Sequence, residues 1–399
     1  MVVVRTRLGI ALVIALVATA CGGPAATQPP GRLAGPRLAA AGPTAFDARV
    51  ALGAATTVVA AAVALESTAQ PTIAQLIGQK LVVRMAGLTP SASLLGRIQR
   101  GEVGGVILFG SNVSSVSQVR ALTAKLRAAA AAGGRPHLII AVDQEGGPIK
   151  RIPWAPPTIS PTEMGQLGLA SVALDQGTKT GIALRALGIN VDFAPVADVP
   201  ATTSSFLYRQ GRTWSFSVGR TTGLADSFAT GLEAGRVIPT MKHFPGLGRA
   251  RLNTDERVVT IPASIANMQR DLMPYRTAIA NHIPLIMVSN AVYTSWDAVN
   301  GAGWSRAITR DLLRVQLGYR GATITDSLSG AAKARGVSQS VLAVKAATAG
   351  TDLILVTGSE ASTAAVFNAL LANAETNVIP LSRLRASYAR ILALKAAAP

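Results

Sequence analysis

The chain has 399 residues, 49% of them hydrophobic, and it carries a formal net charge of +18. This size permits either two ordinary domains or one barrel of roughly 250 to 330 residues with appendages. The basic residues are dispersed and form no runs interleaved with aromatics, which argues against nucleic acid as a partner and favours anionic wall polymers or lipid head groups.

The first twenty residues carry the pattern of a signal peptide. The basic start MVVVRTR is followed by the apolar run LGIALVIALV and then by ATA directly before Cys21. That run is too short to cross a membrane as a helix, so we predict a cleaved signal over residues 1–20. Cys21 is the single cysteine of the chain and therefore has no partner for an internal disulfide.

The segment VATAC resembles a bacterial lipobox. This resemblance implies that Cys21 is the lipidated first residue of a lipoprotein, anchored in the cell envelope to the outer face of the bacterial cytoplasmic membrane. The alternative is a plain secretory signal that contains a free cysteine. Residues 21–70 are rich in Gly, Pro and Ala, and up to about residue 48 they are predicted to form a flexible tether. The apolar stretch 48–67 is compatible with a helix packed on the domain or with a second apolar segment.

From residue 72 onward, short apolar runs that end in polar or glycine residues alternate with amphipathic stretches of helical length. The eight runs are KLVVRMAG (80–87), GVILFGSN (105–112), HLIIAVDQEGG (137–147), INVDFAPVADV (189–199), VIPTMKHFPG (237–246), IPLIMVSNAVY (283–293), GATITDSL (321–328) and DLILVTG (352–358). Near-continuous apolar strands alternating with helices indicate a parallel sheet covered on both faces.

We therefore predict an α/β fold: a (β/α)8 TIM-type barrel over residues 71–399, forming a single catalytic domain with no second sandwich domain. A doubly wound open sheet is the alternative, but no G-x-G-x-x-G opens the first unit of the pattern.

Polar side chains gather where the predicted strands end, which is the rim that carries active sites in such barrels. The residues at these ends are Asp143, Glu145, Asp198, Lys242, His243, Ser289, Asn290 and Asp326. Acids with one lysine and one histidine suit the binding of a polyhydroxylated ligand and carboxylate chemistry at an acetal. His137 and His282 precede strands and are interpreted as structural. Because the histidines are scattered and no cysteine cluster exists, we predict no metal site.

The motifs VDQEGGPIKR, MKHFPGLG and ITDSL, in this order, resemble those of family 3 glycoside hydrolases. The similarity covers roughly residues 72–397 and is greatest to the single-barrel bacterial β-N-acetylhexosaminidases that act on cell-wall sugars. The resemblance implies a carbohydrate substrate and a retaining mechanism that requires no cofactor. We also expect a monomer.

The resemblance further implies roles for individual residues. Asp326 is the implied nucleophile, which attacks the anomeric carbon, and an Asp that caps the following helix is the structural alternative. The implied sugar-binding residues are Asp143, Arg151, Arg212, Lys242 and His243. For each of these, a structural salt bridge or loop anchor is the alternative. The family counterpart of Glu145 sits in the loop and not at the bond being broken.

The loop after MKHFPGLG departs from the family pattern. The family loop ends in D-S-H, whose histidine is the general acid/base, whereas this chain has Asn253, Thr254 and Asp255 there. Leu247 stands where the motif has its second histidine. Asp255, or Glu256, is therefore the candidate proton donor, held by Asn253 and neighbouring arginines.

Such a donor needs a raised pKa, and the neighbouring arginines of this loop oppose one unless they face solvent. These arginines are Arg249, Arg251 and Arg257.

We predict an exported glycoside hydrolase that cleaves terminal β-linked (N-acetyl)hexosamine or similar sugars from cell-wall-type glycans. Since the D-S-H loop is tied to N-acetylglucosamine-type substrates, its loss leaves a β-glucosidase-like exo-glycosidase as an alternative. Two further alternatives are a glycan-binding lipoprotein with weak catalysis and an interaction lipoprotein whose basic surface is the functional part.

Overall fold

The computed structural model describes residues 70–397. The predicted signal peptide, the lipidation site at Cys21, and the predicted tether up to residue 69, with its apolar stretch 48–67, lie outside these residues. None of the helices within residues 70–397 is long and apolar enough to cross a membrane.

Eight parallel strands form a barrel, and each of them lies within one of the eight predicted apolar runs. They are β1 (Leu81–Arg84), β2 (Gly105–Leu108), β3 (Ile139–Val142), β4 (Val191–Asp192), β5 (Ile238–Phe244), β6 (Leu285–Val288), β7 (Ala322–Thr325) and β8 (Ile354–Val356). Each strand from β1 to β6 pairs in parallel with the next strand along the chain, and β8 pairs in parallel with β1. A parallel bridge between Ile324 and Leu353 joins β7 to β8 and closes the ring. The predicted TIM-type barrel is thus confirmed, and the open sheet is excluded.

Helices connect and surround the strands. They span Ile73–Gly78, Ala92–Arg100, Val116–Ala132, Pro161–Leu167, Ala170–Ala186, Phe206–Arg209, Val218–Ala234, Ile265–Asp271, Met273–Ala280, Leu328–Ala334, Gln339–Ala349, Glu360–Glu375 and Leu381–Ala396, with a π-helix over Ala307–Gln316. A hairpin of Gln144–Gly146 and Ile149–Lys150 follows β3, and a small sheet joins Thr260–Ile261, Val292–Tyr293 and Asp297–Gly301.

Most strand residues are apolar, and both faces of the strands are buried. Val82 and Ile139 belong to the cluster that fills the lumen, whereas Leu81 and Ile140, their neighbours along the chain, belong to the layer beneath the helices. This alternation follows the period of two residues in a strand. A strand with two apolar faces reads as a continuous apolar run, which is why the sequence pattern located all eight.

The C-terminal helix, Leu381–Ala396, covers the amino ends of the strands. Its Ile391 and Leu394 join the lumen cluster. Its buried Lys395 donates to the side chain of Gln79 at 2.6 Å and to the carbonyl of Gly104 at 2.8 Å. Within the described residues, this helix therefore fills the amino end of the barrel lumen.

Candidate active site

A cavity of about 310 Å³ opens at the carboxyl ends of the strands. Ile107, Met287 and Leu355 line it as well as belonging to the lumen cluster, so they form its floor. The seven residues selected from the sequence all line this one cavity: Asp143, Arg151, Arg212, Lys242, His243, Asp255 and Asp326. Its volume lies at the lower end of the range for small-molecule sites.

Lys242 and Arg212 are held by acids that follow β3. The Lys242 ammonium lies 2.9 Å from Asp143 and 2.7 Å from Glu145. Arg212 makes a two-point contact with Glu145, with both nitrogen–oxygen distances 2.8 Å. Glu145, which the sequence left ambiguous, is thus the buried anion that fixes two cations in the cavity wall.

The ion pairs determine the charge state of Glu145. Burial alone would raise the pKa of its carboxyl, but Arg212 and Lys242 outweigh burial and lower that pKa to about 2. Burial likewise works against the charged form of Lys242, and its two acid neighbours outweigh it and raise the pKa of the ammonium. Glu145 and Lys242 are therefore both charged at neutral pH.

Replacing Glu145 with Gln is expected to destabilise the fold by about 3 kcal/mol or more, because it leaves two buried cations with one anion fewer. The native pKa of Glu145 lies below its unfolded value, so its contribution to stability is complete above about pH 4.3 and is lost as the pH falls toward 2. Denaturant unfolding of the wild type and of Glu145→Gln between pH 3 and 7 measures the difference in their free energies of unfolding. Glu256→Gln, at an exposed residue, is the control, and equal stability of the two variants would contradict the assignment.

His243 is oriented by Asp198, a rim acid that the sequence did not select as a site residue. Asp198 is fully buried, and its Oδ2 lies 2.7 Å from His243 Nδ1 and accepts the backbone N–H of His243. Its other oxygen accepts the backbone N–H of Leu247. These contacts leave His243 Nε2 as the ring atom available to a ligand.

Asp326 follows β7 directly. Its backbone N–H bonds to the carbonyl of Val288, and its Oδ1 accepts the N–H of Ser327 at 2.7 Å. Ser327 is the N-cap of the helix Leu328–Ala334, and no side chain caps that helix. The structure therefore does not support the alternative in which Asp326 serves as a helix cap.

Within residues 70–397, the arginines of the loop after β5 make no ion pair with Asp255. Arg249 pairs with Asp271 at 2.5 Å instead, and neither residue lines the cavity. Arg251 and Arg257 are exposed. Arg251 and Arg257 thus meet the condition, exposure to solvent, under which the sequence allows Asp255 a raised pKa.

Asp255 instead carries a raised pKa. The residue as a whole is exposed, yet it lines the cavity, and the partial burial of its carboxyl raises the pKa. Repulsion by Asp326 adds to this effect, and together they bring the pKa to about 7, against the opposing charges of His243 and Arg212. Glu256 does not line the cavity, so Asp255 is the better placed of the two candidate donors.

Asn253 shapes the turn that presents Asp255. Its Oδ1 accepts the Asp255 N–H at 3.1 Å, and its Nδ2 donates to Glu256 at 3.2 Å. Thr254 between them is buried against the cavity. The predicted contact between Asn253 and Asp255 is thus present, whereas the described residues show no hydrogen bond or ion pair between Asp255 and the arginines of this loop.

Arg151 and Phe109 form another part of the wall. The Arg151 guanidinium lies 5.8 Å from the centre of the Phe109 ring, within the range of a cation–π contact. Three further residues of the cavity lining could not be identified from the sequence, because they carry no charge and belong to no motif. They are Phe109, Gln210 and Thr357. His137 and His282 lie outside the cavity lining. Within residues 70–397, no group of three or more His, Cys, Asp or Glu side chains is arranged to hold a metal ion.

A parallel (β/α)8 barrel with carboxyl groups facing one another in a cavity at the carboxyl ends of its strands is an architecture of glycoside hydrolases. The family profile "Glycosyl hydrolase family 3 N terminal domain" matches residues 70–394. The chain therefore belongs to glycosyl hydrolase family 3. The chain is accordingly a glycosidase.

Similar proteins include an uncharacterized secreted glycosyl hydrolase of Arthroderma benhamiae, 36% identical over 80% of this chain and 92% of the relative. A β-N-acetylglucosaminidase structure from Paenibacillus is 32% identical, with a TM-score of 0.78 over 82% of this chain and 62% of that chain. A β-N-acetylhexosaminidase structure from Beutenbergia cavernae is 30% identical, with a TM-score of 0.76 over 82% of this chain and 100% of that chain. The chain therefore spans the whole of one solved relative and less than two thirds of another.

Proposed function

We propose that the protein is an exported, retaining β-N-acetylhexosaminidase that releases terminal sugars from cell-wall-type glycans. Its relatives include a β-N-acetylhexosaminidase of the same extent, which supports the substrate class. The observation that carries the proposal is the pairing of two carboxyl groups in one cavity, where Asp326 helps to keep the Asp255 pKa near 7. A carboxyl that is protonated near neutrality is suited to donate a proton to a glycosidic oxygen.

In the first step, Asp255 donates its proton to the glycosidic oxygen while Asp326 attacks the anomeric carbon. The bond to the leaving alcohol breaks, and the sugar is held as an ester of Asp326. Esterification removes the negative charge of Asp326, and with it a repulsion that raises the pKa of Asp255. The pKa of Asp255 is then lower than in the free enzyme, which favours its carboxylate. The carboxylate is the form that can act as a base in the second step.

In the second step, Asp255 accepts a proton from water, and the resulting hydroxide equivalent attacks the anomeric carbon. The ester bond to Asp326 breaks, and the sugar leaves with its original configuration. Asp143, Lys242 and His243 present charged or polar atoms to the cavity for the sugar hydroxyls, and Arg151 and Arg212 complete this binding set. None of these steps requires a cofactor.

The proposed site of action is the outer face of the cytoplasmic membrane. The signal pattern of residues 1–20 and the lipobox-like segment before Cys21 support export and lipid anchoring. The relative from Arthroderma benhamiae is described as secreted, which agrees with export. The barrel from residue 71 onward would act as a monomer on a tether formed by residues 21–70.

A panel of 4-nitrophenyl β-glycosides tests this proposal on the full chain. We expect kcat/KM for the N-acetylglucosaminide to exceed that for the glucoside by about tenfold or more. Such a preference requires polar contacts to the acetamido group beyond those shared by both sugars. Preference for the glucoside would assign a β-glucosidase-like activity. Binding of N-acetylglucosamine without turnover of any glycoside would assign a glycan-binding protein.

A further inference from the structure

Helix Leu328–Ala334 begins two residues after Asp326 and packs against the loop that carries Asp255. The contact falls at Gly330. A methyl group at Gly330 would lie 2.6 Å from the Cα, the Cβ and the carbonyl oxygen of Asp255. Side-chain carbons do not approach backbone atoms so closely, so the two backbones touch here only because residue 330 has no side chain.

The helix is the fixed partner in this contact. Leu328 and Ala331 are fully buried in the main core cluster. The hydroxyl of Ser329 accepts a hydrogen bond from Thr357 at 2.8 Å and donates one to Gln339 at 2.8 Å, which ties the helix to the end of β8 and to the next helix. A group added at Gly330 cannot push this helix away without breaking these contacts.

The loop is the partner that can move. Asp255 and Glu256 are exposed, and the hydrogen bond that fixes the Asp255 backbone is the turn made by the Asn253 side chain. A substitution at Gly330 therefore displaces Asp255 relative to Asp326. The distance between the two carboxyl groups is what decides how a glycosidase acts, because it sets whether the acid reaches the leaving oxygen while the nucleophile reaches the anomeric carbon.

We propose that Gly330 is a positioning residue for the acid/base: by lacking a side chain it lets the helix that follows the nucleophile set the place of Asp255. The five consecutive residues 326–330 then contain both the proposed nucleophile, Asp326, and the glycine against which the backbone of Asp255 packs. This inference rests on the proposed roles of Asp326 and Asp255. It adds a residue that touches neither substrate nor reacting atoms.

The test compares Gly330→Ala with wild type on two leaving groups, a 2,4-dinitrophenyl N-acetylglucosaminide and a natural disaccharide of the same sugar. We expect kcat/KM for the disaccharide to fall by roughly tenfold to a hundredfold, since a misplaced acid fails where protonation is needed. The activated glycoside needs little protonation and is expected to change less than about threefold. The alkaline limb of the pH profile, set by Asp255, is expected to shift as its surroundings change.

Gly223→Ala is the matched control, because Gly223 also lies in a helix and an added methyl meets no atom within 4 Å. It is expected to match wild type on both substrates. In an Asp255→Asn background, Gly330→Ala is expected to have no further effect on the disaccharide, as required if it acts through Asp255. Additive losses, or equal losses on both leaving groups, would overturn the proposal.

If Gly330→Ala does not fold, Asn253→Ala tests the same geometry from the loop side, since it frees the Asp255 backbone and leaves the helix intact. The same selective loss on the disaccharide supports the proposal, and unchanged turnover overturns it. If Asp255→Asn itself shows no dependence on the leaving group, the proposed function fails. If Asp255→Asn loses turnover selectively on the disaccharide and Gly330→Ala shows no such selectivity, only the proposed role of Gly330 fails.

Discussion

Replacing Asp326 with alanine is expected to reduce kcat for every β-glycoside substrate by roughly 10⁴-fold or more, because the proposed mechanism forms its covalent intermediate on this carboxylate. Asp326 lies at the end of β7, with one carboxyl oxygen bonded to the N–H of Ser327 and the other without a hydrogen bond to the protein in residues 70–397. Initial rates on an activated aryl glycoside, for which acid assistance matters least, measure the loss of the nucleophile alone.

Mass spectrometry after incubation with a 2-fluoro sugar provides a second measurement. Wild type is expected to gain one covalent sugar on the peptide that contains Asp326, and Asp326→Ala to gain none. Asp311→Ala, at an exposed aspartate of the π-helix, controls for the loss of an acid and is expected to behave as wild type. A label on any other residue would assign the nucleophile elsewhere.

Replacing Asp255 with asparagine is expected to lower turnover of natural disaccharides by roughly 10² to 10⁴-fold while largely sparing 2,4-dinitrophenyl glycosides. Asparagine fits the same loop but holds no transferable proton. The pH profile gives an independent reading. The pKa of Asp255 is raised to about 7, so wild-type activity on unactivated substrates is expected to decline above this pH as the acid loses its proton.

Because Asp255 and Asp326 influence one another, the measured limb belongs to the pair and not to one residue. In Asp255→Asn the residual activity on unactivated substrates is expected to lack this alkaline limb. Glu256→Gln removes the adjacent carboxyl, which does not line the cavity, and is expected to retain both the limb and the rates. A strong loss in Glu256→Gln with normal activity in Asp255→Asn would exchange the two assignments.

The strands of this barrel could be predicted because burial on both faces requires a nearly continuous run of apolar residues. GVIL and LIMV, the sequences of β2 and β6, are buried at every position. Asp143, Lys242, His243 and Asp326 could be selected because they lie at the ends of such runs, and the ends of parallel strands meet at one rim. Arg151, Arg212 and Asp255 lie in loops farther along the chain, and only the resemblance to the family motifs indicated them.

The pairing of those groups could not be predicted, because it depends on side-chain direction. Arg249 lies within six residues of Asp255 in sequence, yet it binds Asp271 instead. Glu145 binds Arg212 across 67 positions of the chain. Such contacts are set by the packing of loops and helices, for which a single sequence carries no periodic signal.

The junction of the first and last elements of the barrel has a consequence for how the protein is made. β1 obtains one of its two neighbours only from β8, and Gln79 receives its hydrogen bond from Lys395 in the final helix. A growing chain that still lacks residues 354–399 has neither β8 nor the helix that covers the amino ends of the strands. Contacts between such distant segments form slowly, so the native fold is reached only after synthesis is essentially complete.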